Sequence, residues 1–137
     1  MTQKDKELLL KDLSARLPYR VICEDMEGKM RPLFGITPTQ HFIVTLDNAI
    51  DGTNGLKFCT IDCVKPYLRP MSSMIEEEKV QLSQYACIGE DLNGEFIDEV
   101  QRKDCAAYID WLNAHHFDYR GLIEKGLALE APNEMYE

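Results

Sequence analysis

What this chain lacks narrows it first. No apolar run approaches the ~20 residues that a helix needs to cross a bilayer, and Leu8-Leu9-Leu10 is typical of what there is. The N-terminus mixes Lys4, Lys6 and Lys11 with Asp5, Glu7 and Asp12 and has no apolar signal core, so a cytoplasmic protein without a membrane partner is expected. Cations are scarce: 15 Lys and Arg face 24 Asp and Glu, a net charge of -9. Phosphate contacts need clustered Lys and Arg, so this balance argues against a general polyanion binder and leaves only a local basic patch. There is no C-x2-C pair, and His115 and His116 are adjacent rather than at the i, i+4 spacing of a helical ligand pair. Neither a metal site nor a cofactor is expected.

Five cysteines, Cys23, Cys59, Cys63, Cys87 and Cys105, are an odd number without the spacing of a disulfide framework. Reduced, structural thiols are the better reading. Cys59 and Cys63 fall on a segment that reads as extended, where with Ile61 they would share one sheet face. A Cys-His nucleophilic pair needs its members to meet only in space, and no local signature selects one, so no catalytic residue is assigned. The loop from Asp47 to Gly52 matches a calcium loop at positions 1, 5 and 6 but fails at Ala49 and Phe58, and reads as a hairpin connection.

A chain of 137 residues, 45% apolar and 28% charged, is sized for one domain spanning 1–137 with one core. Leu9, Leu10, Leu13 and Leu17 recur at helical spacing among Lys4, Asp5, Lys11, Asp12 and Arg16, predicting an amphipathic helix that Thr2 caps and Pro18 ends. Short β-favouring runs follow at 19–25, 29–36, 41–47 and 56–64. Glu27-Gly28, Thr37-Pro38-Thr39, Asp51-Gly52 and Asn54-Gly55 punctuate them, and connections this short imply an antiparallel meander. Lys65 to Pro70 reads as a stiff exit from the sheet. Ser73 with Glu76 forms a capping-box pattern for a helix over 74–88, which Gly89 terminates, and another helix covers at least 104–116. The expected fold is α+β: an N-terminal helix (1–17), an antiparallel sheet of four or five strands (19–68) that is either open or a small SH3-like barrel, two or three C-terminal helices (73–131) and a frayed tail (132–137).

Two surfaces stand out. Between Glu76 and Asp104 nine acids face three cations, and Glu77, Glu78, Glu95, Asp98 and Glu99 are the residues of a candidate acidic docking face. Leu122, Ile123, Leu127 and Leu129 suit a short helix that either covers the core or joins a second copy, giving a candidate homodimer surface.

The segments Lys4-Asp5-Lys6-Glu7-Leu8-Leu9-Leu10, Lys65-Pro66-Tyr67-Leu68-Arg69-Pro70-Met71-Ser72-Ser73-Met74 with Glu76-Glu77-Glu78, and the stretch from His115 to Pro132 resemble a family of small uncharacterised proteins of phages, prophages and mobile elements of gut anaerobic bacteria. The resemblance covers the start, the middle and the C-terminal third. It implies an intracellular, mobile-element setting and transfers no catalytic or binding residue. The function expected is therefore a non-catalytic protein-protein interaction or regulatory module acting on a host or mobile-element protein. Two alternatives compete with it. One is an enzyme using Cys/His or carboxylate chemistry, in which one Cys, His41 or His115 and an acid converge. The other is a nucleic-acid-binding module whose basic strip is Lys57, Lys65, Arg69 and Arg20 with Tyr19 and Tyr67.

Overall fold

The computed structural model describes residues 1–37, 42–47, 55–85 and 98–136, with the backbone alone over 98–105. Helix α1 (Gln3–Arg16) begins where the sequence places it. Thr2 Oγ1 accepts the Asp5 N–H and the Asp5 carboxylate accepts the Thr2 N–H, both at 3.1 Å, so two of the orphan donors of the first turn are satisfied reciprocally. Pro18 lies at the start of a 3-10 turn (Leu17–Tyr19), and Arg20, in the left-handed region at φ 53°, swings the chain into the sheet. The buried side chains of α1 are Leu9 and Leu13 and also Asp12 and Arg16. The last two were assigned to the polar side of the helix; their place inside is the first correction to the sequence reading.

The sheet is mixed and six-stranded, in the order β4-β3-β2-β1-β5-β6. Strands β1 (Ile22–Glu24), β2 (Met30–Thr37), β3 (Ile43–Asp47) and β4 (Leu56–Thr60) form the expected antiparallel meander. Gly28, at φ 76°, takes the positive-φ position of the turn between β1 and β2 that a side chain would strain. A register shift between Leu33 and Gly35 puts Phe34 on a bulge, and Phe34 and Phe58 stay 59% and 66% exposed. Strand β5 (Lys65–Leu68) pairs antiparallel with β1, and β6 (Leu129–Glu130) pairs parallel with β5.

These last two strands were not expected. The proline-bearing segment 65–68 joins the sheet because Pro66, opposite Cys23, needs no N–H of its own to lie there. Ile61–Cys63 forms a 3-10 turn between β4 and β5, so Cys59 and Cys63 do not share a strand. Among the described residues no pairing joins β4 to β6, so the sheet as described is open and does not bear out the SH3-like barrel.

Helix α2 (Glu76–Ser83) starts later than the capping-box pattern predicts, because Ser73 Oγ donates to Pro70 O at 2.6 Å within a preceding 3-10 turn (Met71–Ser73). Glu78 instead accepts the Ile75 N–H at 3.2 Å at the helix entrance. Helix α3 spans Asp98–Ala114. It ends in a Schellman arrangement: Phe117 N–H reaches Leu112 O at 3.0 Å and His116 N–H reaches Asn113 O at 3.1 Å, with His116 in the left-handed position that glycine usually fills. His41, the loop 48–54, Cys87, Gly89 and Glu95 lie outside the described residues.

One core cluster joins Leu9 and Leu13 of α1 to Val21, Cys23, Leu33, Val44, Leu46, Ile61, Val64 and Leu68, and is closed by Leu122, Leu127 and Ala128. The apolar C-terminal stretch is thus a set of turns ending in β6, not a helix. Leu122 is fully buried and Leu127 is nearly so, which removes both from any self-association surface; Ile123 and Leu129 are half-buried. A smaller cluster, Leu82, Trp111, Leu112 and Phe117, packs α2 against α3. The segment expected to be frayed is anchored through Tyr136.

Candidate functional site

Where β5 ends, the chain passes Arg69 under the C-terminal end of α3. Arg69 N–H donates to His116 O at 2.7 Å and Asp118 N–H to Arg69 O at 2.8 Å, a two-bond clamp that holds this segment against α3. The Arg69 side chain then lies over the Phe117 ring, 4.1 Å from its centre, and makes two parallel 2.7 Å bonds to Glu78 of α2. A planar guanidinium on one carboxylate is a directional, charge-assisted contact. Those bonds hold the Glu78 carboxyl below its ordinary range. Beside them, His115 stacks on Trp111 at 3.9 Å, and its Nδ1 lies 2.9 Å from Trp111 O. A carbonyl only accepts, so Nδ1 is the donor in this contact.

Arg69, Glu78 and His115 form one side of an open cleft of about 590 Å³, whose other side is Glu130 to Tyr136. Among the described residues its charged lining is Glu78, Glu130 and Glu134 against Arg69. Because Arg69 is taken up by Glu78, the surplus is acidic.

A second polar cluster lies inside the fold. Asp12 and Arg16 pair through 2.8 and 3.1 Å bonds, Arg16 Nη2 donates to Phe117 O at 2.6 Å, and Arg120 approaches Asp12 at 3.4 Å. Tyr119 lies between the two guanidinium groups, about 5 Å from each, and its hydroxyl donates to Asn113 Oδ1 at 2.8 Å. The cluster ties α1 to the exit of α3 and faces the interior, so its role is to position and not to bind. A third cluster locks the β1–β2 turn: Asp25 takes hydrogen bonds from Arg31 at 2.6 Å, from Lys57 at 3.1 Å, and from the N–H groups of Glu27 and Lys29 at 2.9 Å. Burial pushes this carboxyl up, but those four donors outweigh it and hold Asp25 far below its usual range.

Of the candidate acidic face, only the side chains of Glu77 and Glu78 are described. Glu77 is exposed on α2, Glu78 is tied to Arg69, Glu95 lies outside the described residues, and Asp98 and Glu99 have only their backbone described in α3. Three cations of the basic strip are paired with acids: Lys57 is held by Asp25 and Glu27, Arg69 by Glu78, and Arg20 pairs with Asp47 at 3.3 Å, while Lys65 is exposed. Tyr67 turns its hydroxyl to Glu24 at 3.0 Å. Burial pushes the Cys23 thiol far above its normal range and raises Cys59 as well, the opposite of nucleophile activation. Among the described residues no group of three His, Cys, Asp or Glu side chains is placed to hold a metal ion, and no helix is long and apolar enough to cross a membrane.

Sequence reasoning missed Arg69 and Tyr136. Arg69 was placed on a nucleic-acid strip because nothing in the nine-residue interval to Glu78 announces a turn that brings them together. Tyr136, the penultimate residue of the sequence, carries no local signal at all. No protein-family model, no curated protein and no solved structure matches the chain, so the reading of this cleft rests on its own geometry.

Proposed function

We propose that the protein is a non-catalytic protein-protein interaction module that docks a basic segment of a host or mobile-element protein in the cleft between α2, α3 and residues 130–136. The observation that carries this reading is the acidic surplus among the described lining residues: Glu130 and Glu134 are exposed there, while the one cation described among them, Arg69, is held by Glu78. The overall charge of -9 adds long-range steering toward a cationic partner. Exposed ion pairs contribute only about 0.2–1 kcal/mol each, so the docking would be weak, salt-sensitive and dependent on several contacts at once. The mobile-element setting belongs to this proposal through the sequence resemblance alone.

The competing chemistry has less support. A thiol mechanism needs a lowered thiol beside a base, whereas among the described residues Cys23 is buried among Leu and Val and the rings of His115 and His116 are packed against aromatic rings. Titration of a fluorescent lysine-rich peptide tests the proposal. Binding that weakens about tenfold or more in a Glu130→Lys/Glu134→Lys variant, and with added salt, is the expected result. An unchanged affinity in that variant overturns it, as does no binding at low salt.

A further inference from the structure

We propose that residues 131–136 form a strap latched by the Tyr136 side chain, and that the strap opens as a local unit, moving one wall of the cleft without unfolding the domain. The strap is fastened at its two ends. Ala131 N–H donates to Leu68 O at 2.7 Å beyond β6, and at the other end the Tyr136 hydroxyl accepts the Ile22 N–H at 3.0 Å and donates to Tyr67 O at 2.6 Å. The Tyr136 ring also stacks on His116, 3.6 Å between centres. Between the ends, Pro132, Asn133 and Glu134 are exposed, the one backbone bond is Met135 N–H to Pro132 O at 3.2 Å, and Glu134 sits in the left-handed region at φ 73°. Beyond the Ala131 bond at its start, the hold on this segment is thus concentrated in one side chain.

The position of that hydroxyl makes release feasible. In the β1–β5 ladder Glu24 faces Lys65 and Cys23 faces Pro66, so the next pair along would be Ile22 and Tyr67. Tyr136 occupies that rung: its hydroxyl stands between the Ile22 N–H and the Tyr67 carbonyl, in place of a direct bond. When the tyrosine leaves, donor and acceptor face each other across the same ladder and can pair directly, so neither is stranded. The tyrosine hydroxyl itself returns to water. Two arrangements of the same strand end, bridged and direct, are the bistable element that a local opening requires.

The opening does not depend on the docking reading; its use as a gate for a basic peptide does. Hydrogen exchange on the free protein tests it. In the wild type, Ala131 and Met135 amides are expected to exchange at least about tenfold faster than core amides of β2 and β3, with rates independent of low denaturant. In Tyr136→Phe, which keeps the ring stack and loses both hydroxyl bonds, the same amides are expected to speed up about tenfold more while Ile22 and the β2–β3 amides hold their rates. Strap amides that exchange only with the global core in the wild type overturn the proposal, as does an unchanged strap or a uniform rise in Tyr136→Phe. Should the variant not fold, the wild-type measurement alone decides. Failure of the peptide titration with a strap that opens as described removes the docking reading and leaves the strap.

Discussion

Asp12 and Arg16, one turn apart on α1, form a two-bond ion pair in which neither side chain is exposed to water at all. Taking both charges out of water is costly, and the arrangement offsets that cost by adding Phe117 O and Arg120 as further partners. The pair therefore fixes where the exit of α3 sits relative to α1, which in turn sets the clamp around Arg69.

Removing one member of such a pair leaves the other charge buried and unmatched. Asp12→Asn is expected to lower the unfolding free energy by about 3–5 kcal/mol in urea denaturation, whereas Asp12→Leu/Arg16→Met should cost markedly less, since no fully buried charge is left alone and the part-exposed Arg120 can turn to water. A double variant as unstable as the single one would show that the Phe117 and Arg120 contacts, not the lone charge, set the cost.

Arg69 and Glu78 offer a second coupling, half-buried and at the cleft. Glu78→Gln keeps an acceptor for the Ile75 N–H but loses the charge-assisted fork, and a loss of about 1–2 kcal/mol is expected. In a double-mutant cycle with Arg69→Met the coupling energy should reach about 1 kcal/mol or more. Additive effects would mean that the guanidinium is held by the Phe117 ring and the Phe117 segment instead of by Glu78.

How much of this was readable follows from how local each signal is. The Thr2–Asp5 cap and the β1–β4 meander rest on residues three or four apart and on Gly-bearing turns, and both emerged from sequence. Asp12 and Arg16 have the right i, i+4 spacing to pair, but charged residue types on a leucine-striped helix default to the solvent side, so their burial was not seen. The capping-box pattern at Ser73 was genuine in form, yet Pro70 and the 3-10 turn after it captured the serine hydroxyl first. Strand β6 and the Tyr136 latch pair with partners from about sixty to 114 residues earlier, where no periodicity reports. The cleft is built from such long-range contacts, which is why the candidate site was largely illegible while the meander was not.

Cys23 sits at the centre of the core, opposite Arg31 on β2 and Pro66 on β5. Its thiol is protected by burial and by a raised pKa together. Alkylation at pH 8 followed by mass spectrometry should therefore label Cys23 at least about 100-fold more slowly than the half-buried Cys63, and only through opening of the β1 region. Comparable rates for the two would show that β1 opens easily and that the core cluster is not the stable centre of the fold.

His116 makes the fold pH-sensitive in a definite direction. Burial first, and then the charges of Arg16, His115 and Arg69, push its imidazole down to about 4 from an ordinary 6.5. Between those two values the unfolded chain binds a proton that the folded chain excludes, so stability is at its full value above about pH 6.5 and declines as the pH falls toward about 4. A displacement of this size corresponds to a loss of up to about 3 kcal/mol across that window. Asparagine tolerates the left-handed backbone at this position and does not titrate, so His116→Asn is expected to lose the Tyr136 stack at every pH yet to show a much flatter dependence between pH 6.5 and 4.5. Urea midpoints at those two pH values for both proteins make the comparison. An equal acid shift in wild type and variant would place the titrating group elsewhere, and not at Asp25, whose depressed carboxyl loses its stabilising effect only below this window.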